Sequence, residues 1–303
     1  MSAPVARILT SGLRFPEGPA VLDDGAVMVA EMKGEAISRV DADGTLSVLG
    51  DCGGGPNGSA AGAAGEYYVA NNGGLSAAGT GYWYAPRQMD GCVQRVDADG
   101  TVTQVGGTLP GPGPHRPNDL CFGPDGTTLY VTDSANWEDL RNINPGHVVA
   151  IGPDGSQRQA VELPAMPNGI EISPDGRLVV TQSLTRKILA FELAADGAIG
   201  PSTTFAKLPG GMPDGFCFAA DGTLYACGSI GHAIFVYGPD GELADTIETG
   251  EGTQPTNCCI GPTGALYVTY ALTGQLAAFD LSLTAAPIYR GSIASASAGG
   301  SAS

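Results

Sequence analysis

Basic residues are scarce in this chain. Fourteen Lys and Arg stand against 31 Asp and Glu, a formal charge of −17, with a pI near 4.3. A surface of that sign repels phosphate backbones, so no nucleic-acid partner is expected. Histidine is scarcer still, at three residues (His115, His147, His232), which disfavours a histidine-rich zinc site. No apolar run approaches the ~20 residues that cross a bilayer. Met1 to Ile8 hold no leader-like stretch, so no membrane association is expected. The seven cysteines are odd in number and lack zinc-finger spacing; they read as buried, reduced thiols of a cytoplasmic protein. Apolar residues at a helical period over several turns are also missing, so the chain reads as all-β.

Turns, by contrast, are abundant, with 47 Gly and 22 Pro. Six prolines are followed at once by a polar or acidic residue: Pro16-Glu17, Pro56-Asn57, Pro117-Asn118, Pro167-Asn168, Pro213-Asp214 and Pro255-Thr256. They lie 40, 61, 50, 46 and 42 residues apart. A second repeat is laid over the first, with aspartate-glycine dipeptides such as Asp24-Gly25, Asp125-Gly126 and Asp221-Gly222 recurring about twice per interval. Such dipeptides suit tight hairpin turns. Two hairpins per interval make a four-stranded blade, and six intervals make a six-bladed β-propeller.

The propeller is expected to occupy residues 1–290 as one domain, with 291–303 a Gly/Ala/Ser-rich disordered tail. Two segments compete to complete the last blade, Val5 to Thr10 and Ala286 to Arg290. Two insertions, Gly73 to Asp90 and Ser134 to Gly146, connect second to third strands and would overhang one face. Tyr82, Trp83 and Trp137 in them could stack on a sugar-like ring or anchor their own loops.

If each pair opens an innermost strand, Glu17, Asn57, Asn118, Asn168, Asp214 and Thr256 converge near one axis. Two carboxylates and three carboxamides left dry and empty would be costly. A divalent cation bound by their oxygens removes that cost. The ring reads first as a Ca²⁺ site, with Mg²⁺, Mn²⁺, Zn²⁺ and Fe²⁺ as alternatives. Asp119 beside the ring is read as a supporting hydrogen-bonding residue. Ser134 adjoins Asp133, but no partner histidine is evident, so a serine triad has little support.

The set Phe15-Pro-Glu-Gly-Pro19, Arg116-Pro-Asn-Asp119, Pro167-Asn-Gly169 and Pro213-Asp-Gly215 resembles the signature of the gluconolactonase/regucalcin (senescence marker protein) family. It extends to the related diisopropylfluorophosphatase-like calcium hydrolases. The resemblance covers about residues 5 to 290. It implies a six-bladed propeller with a divalent metal in the channel, held by Glu17, Asn168 and Asp214 with Asn118 beside it. It also implies Arg116, Asn118 and Asn57 as substrate-side residues, the last without a firm role. The implied chemistry is hydrolysis of a small-molecule substrate, a sugar or related lactone, with Asp214 as general base and Asn118 assisting. Alternatives are phosphotriester hydrolysis or isomerisation on the same scaffold, or calcium binding without catalysis. Arg116 favours an enzyme, because cation binding alone does not require it. No obligatory protein partner is indicated.

Overall fold

The computed structural model describes residues 4–78, 81–139 and 141–294. Among them there is no helix, and six four-stranded antiparallel sheets form the blades of a propeller. The innermost strands are Pro16–Val21, Pro56–Ala61, Pro117–Phe122, Pro167–Ile172, Pro213–Phe218 and Pro255–Ile260. Each opens at one of the six prolines. Proline suits a first strand position, where a missing N–H costs no ladder bond. Hairpins follow in chain order, as in blade 4, where Pro167–Ile172, Leu178–Gln182, Lys187–Leu193 and Ile199–Lys207 lie side by side.

The second strands are buried throughout, as in Leu129–Asp133 and Leu178–Gln182. Outer strands are the more exposed ones, as in Leu243–Glu248. The core therefore lies between blades. One layer packs Tyr68, Leu120, Phe122 and Val131 between blades 2 and 3. Another packs Val179, Phe216, Phe218 and Leu224 between blades 4 and 5. All seven cysteines are free and buried in these layers or beside them.

The ring closes through the N-terminus. Arg7–Ser11 pairs antiparallel with Gln275–Asp280 as the outer strand of blade 6. Ala286 to Arg290, the competing segment, forms no blade strand. It crosses the opposite end of the channel as a strap, held by Ala286 N–H donating to the Phe218 carbonyl. The strap continues past the expected boundary at 290. Ile293 is buried, and its N–H donates to the Tyr68 hydroxyl at 2.7 Å. Apolar surface on Ile293 thus outweighs the polar look of the tail; positions 295–303 lie outside the described residues.

The first insertion contains a small hairpin, Leu75–Ala78 with Gly81–Tyr84. Arg87 fastens that insertion to blade 1, its Nε donating to Glu35 at 2.8 Å and its guanidinium also pairing with Asp51. Trp83 is half-buried, and the Tyr82 side chain lies outside the described ones.

Candidate active site

Each inner strand carries the same irregularity. Pro167 sits opposite Gln182, yet Ile170 sits opposite Val180, so the inner strand spends one extra residue. The same one-residue shift occurs after Pro16, Pro56, Pro117, Pro213 and Pro255. A bulge of this kind re-aims side chains and frees backbone groups from the ladder. Here it falls on the residues after each proline and turns them to the axis.

Hydroxyls from neighbouring blades occupy the freed carbonyls. Ser134 donates to the Pro167 carbonyl at 2.6 Å and Ser183 to that of Pro213 at 2.9 Å. Thr132 donates to the Asn168 carbonyl, and Thr181 to that of Asp214 at 2.9 Å. Thr256 donates to the Pro16 carbonyl at 3.0 Å, and so locks blade 6 to blade 1. These latches were missed from the sequence. Their signal was the recurring Thr-X-Ser at the end of a second strand, Thr132-Asp133-Ser134 and Thr181-Gln182-Ser183.

Glu17, Asn57, Asn118, Asn168, Asp214 and Thr256 all line one cleft of about 700 Å³, open to solvent. Five are buried, and Asp214 is the one that keeps appreciable exposure. Burial pushes the Glu17 carboxyl well up, and repulsion from Asp214 and then Asp119 adds to it. Burial also pushes Asp214 up to about 7, opposed by the Asn168 amide and Ser229 hydroxyl. Like charges held dry and close favour protonation unless a cation joins them. Among the described residues, no group of three or more His, Cys, Asp or Glu is placed to hold a metal ion. A cation in this ring would therefore draw on amide oxygens of Asn168 and Asn118 beside the two carboxylates. That oxygen-only set fits a hard divalent ion.

Beneath the ring lies a polar plug. Asn257 Nδ2 donates to Asp119 Oδ2 at 3.1 Å, across the axis from blade 6 to blade 3. Cys258 N–H and Leu120 N–H donate to their remaining oxygens. The other four blades carry Gly18, Gly58, Gly169 and Gly215 at this level. A β-carbon on Gly58 would collide with Asp119, and one on Gly215 with Asn257. The plug separates the cleft from a second, solvent-connected pocket at the strap end, lined by Glu171, Cys121, Cys217 and Ile288.

Arg116 is placed differently from the ring. Its guanidinium donates to the His115 carbonyl at 2.9 Å and to Glu138 Oε1 at 3.0 Å, and it is not among the residues lining the cleft. Trp137, from the same insertion as Glu138, does line it. His115 has a partner after all, with Nδ1 2.7 Å from Asp133 Oδ2. Ser134 nonetheless spends its hydroxyl on the Pro167 carbonyl, so no triad is assembled.

The model of the SMP-30/Gluconolactonase/LRE-like region matches residues 15–272. The chain belongs to this family. A curated gluconolactonase from Zymomonas mobilis is 29% identical over 167 residues, 50% of this chain and 46% of that protein. The chain thus matches about half the length of that curated relative. Among solved structures, a gluconolactonase from Xanthomonas campestris is 26% identical, covering 90% of this chain and 89% of the other at TM-score 0.73. A calcium-binding regucalcin from Agrobacterium tumefaciens is 20% identical, covering 95% and 98% at TM-score 0.75, and shares the fold. Membership of the SMP-30/Gluconolactonase/LRE-like family agrees with the six-bladed propeller.

Proposed function

We propose that the protein is a divalent-cation-dependent lactonase acting in the channel cleft. The observation that carries this reading is the convergence of Glu17, Asp214, Asn118 and Asn168 at the closed end of one solvent-open cleft, in a chain 26% identical to the Xanthomonas gluconolactonase. Glu17, Asn168, Asp214 and Asn118 would hold the cation. When bound, the cation supplies Lewis-acid polarisation of the lactone carbonyl.

The chain's own groups do the rest. Asp214 is the most exposed of the ring, so its carboxylate is the one that can meet water and take its proton. The water oxygen bonds to the carbonyl carbon. The ring C–O bond then breaks, and the departing oxygen receives the proton back from Asp214, leaving a hydroxy acid. The Asn118 amide donates to the developing oxyanion without changing the charge of the site. The Ser183 hydroxyl accepts from Asn168 Nδ2 at 3.2 Å, which leaves the Asn168 oxygen free to face the channel.

Hydrolysis of aldonolactones and alkyl lactones by protein stripped with chelator, then restored with Ca²⁺, Mn²⁺ or Zn²⁺, tests this reading. Turnover should vanish on stripping and return with a cation. Asp214→Asn should lower kcat at least about 100-fold. Ca²⁺ at a hundred times its Kd should add about 2.7 kcal/mol of stability. Lactone turnover indifferent to chelation and to Asp214→Asn would overturn the mechanism. The second reading is a cation-binding protein without catalysis. It draws on Arg116, whose guanidinium is bonded to Glu138 and is not part of the cleft lining. Calcium-dependent stabilisation with no turnover of any lactone would select it.

A further inference from the structure

The residue just before each ring proline forms a second tier above the candidate ligands. Phe15, Met166 and Met212 occupy that tier in blades 1, 4 and 5 and line the cleft, and Gln254 is its polar member in blade 6. Phe15 and Met166 do so with φ of 59° and 61°. A non-glycine residue at positive φ is disfavoured by its own β-carbon, so the surrounding structure must hold it there. Met32, Trp137 and Ile230 complete an apolar wall. Among the described residues, no charged side chain lines the cleft besides the two ring acids. The nearby cation, Arg116, is spent on Glu138 and the His115 carbonyl.

The apolar character continues outward. Leu184, Ile230 and Leu272 are exposed, each two residues past the end of a second strand in blades 4, 5 and 6. Leu184 N–H bonds the Ala165 carbonyl and Leu272 N–H that of Thr253, both two residues before a ring proline. These side chains therefore rise from the cleft end of the channel, not the strap end.

A sugar lactone presents a hydroxyl on nearly every carbon, and a hydroxyl buried without a partner weakens binding about 10- to 100-fold. Ser183 and Ser229 spend their hydroxyl protons on the Pro213 and Met212 carbonyls, so the polar groups this wall offers above the ring are the Gln254 amide and the Trp137 indole N–H. Apolar surface with a few convergent polar groups at its base fits a molecule with one polar head and an apolar body. We infer that the preferred substrate is a lactone carrying an apolar alkyl or aryl substituent, its carbonyl at the ring and its substituent against Phe15, Met32, Trp137, Met166 and Met212. This rests on the lactonase reading above.

The test is kcat/KM across δ-lactones substituted next to the ring oxygen with hydrogen, methyl, propyl or pentyl, beside glucono-1,5-lactone, on Ca²⁺-loaded protein. A rise of about fourfold per methylene is expected, from ~0.8 kcal/mol per buried CH₂, with the pentyl lactone ahead of the glucono-lactone. A flat series, or a glucono-lactone preferred to all of them, overturns the inference. A parallel series of δ-lactams, which are not turned over, reads binding by Trp fluorescence, with Trp137→Phe identifying the reporting residue. If no lactone is hydrolysed, the lactonase reading falls while the lactam series still decides the apolar cleft. Affinity rising with chain length supports it, and affinity independent of chain length overturns it.

Discussion

Replacing Gly169 by alanine tests how the ring is built. Gly169 follows the candidate ligand Asn168 and faces the inner strand of blade 5. A β-carbon there would lie 2.6 Å from the Asp214 carbonyl oxygen, 2.9 Å from Gly215 Cα and 3.0 Å from a Phe216 ring carbon. Two of those atoms are main chain and cannot rotate away. The strands of blades 4 and 5 must part by roughly half an ångström, at about 1–3 kcal/mol for an overpacked core. The Thr181 hydroxyl's bond to the Asp214 carbonyl, 2.9 Å long, weakens as well, adding about 1 kcal/mol. The sum is about 2–4 kcal/mol, which is roughly 3–6 °C in Tm for a chain of this length. Gly107→Ala is the control, because nothing lies within 4 Å of its β-carbon and its loss of unfolded-state freedom is neutral or slightly stabilising. Thermal melts followed by circular dichroism read both. The calcium-induced rise in Tm should also shrink in Gly169→Ala, because Asp214 moves with its backbone. If Gly169→Ala melts within 1 °C of Gly107→Ala, close approach of the inner strands is not what the glycine provides.

Ile293→Ala should cost about 2–4 kcal/mol by chemical denaturation, as for a buried aliphatic truncated in a core; a change under 0.5 kcal/mol would show that the strap is not part of the fold. Glu171→Gln tests the strap-end cavity. Burial, with lesser repulsion from Asp119 and Cys258, pushes the Glu171 carboxyl up to about 8. The folded state then keeps a proton that the unfolded chain releases above its ordinary value near 4.3. Wild-type stability therefore falls as pH rises from about 4.5 to 8, and the glutamine variant should lack that part of the slope. Parallel stability curves for the two proteins across that range would refute it. Ser183→Ala removes both the latch on Pro213 and the acceptor for Asn168. It should lower calcium affinity several-fold at a stability cost of about 1–2 kcal/mol; unchanged calcium affinity would deny Ser183 any part in orienting Asn168.

The repeat was legible because it is local. Each proline cannot donate to a ladder and each aspartate-glycine turns the chain, so strand starts and hairpins follow from single dipeptides. Six such starts at blade-like intervals set the number of sheets, and the residue after each proline is the one that reaches the channel. The closing strand was undecided between two segments because both are short stretches that carry apolar residues. Arg7–Ser11 takes the place by pairing with Gln275–Asp280, a contact across the whole chain length. The hydroxyl latches escaped notice for a similar reason, since their partners are carbonyls on the neighbouring blade, which no side-chain pattern advertises. Arg116 reads as a substrate residue beside Asn118, yet Glu138, 22 residues away, captures it.

By itself, then, the scarcity of basic residues and helical patterns, set against regular prolines and turns, determined an acidic all-β ring with oxygen donors on its axis. Tertiary structure alone decided which end of that axis opens, which terminal segment closes the ring, and which side chains wall the cleft. Each of those depends on what a neighbouring blade presents, and contacts between blades join residues far apart in the chain.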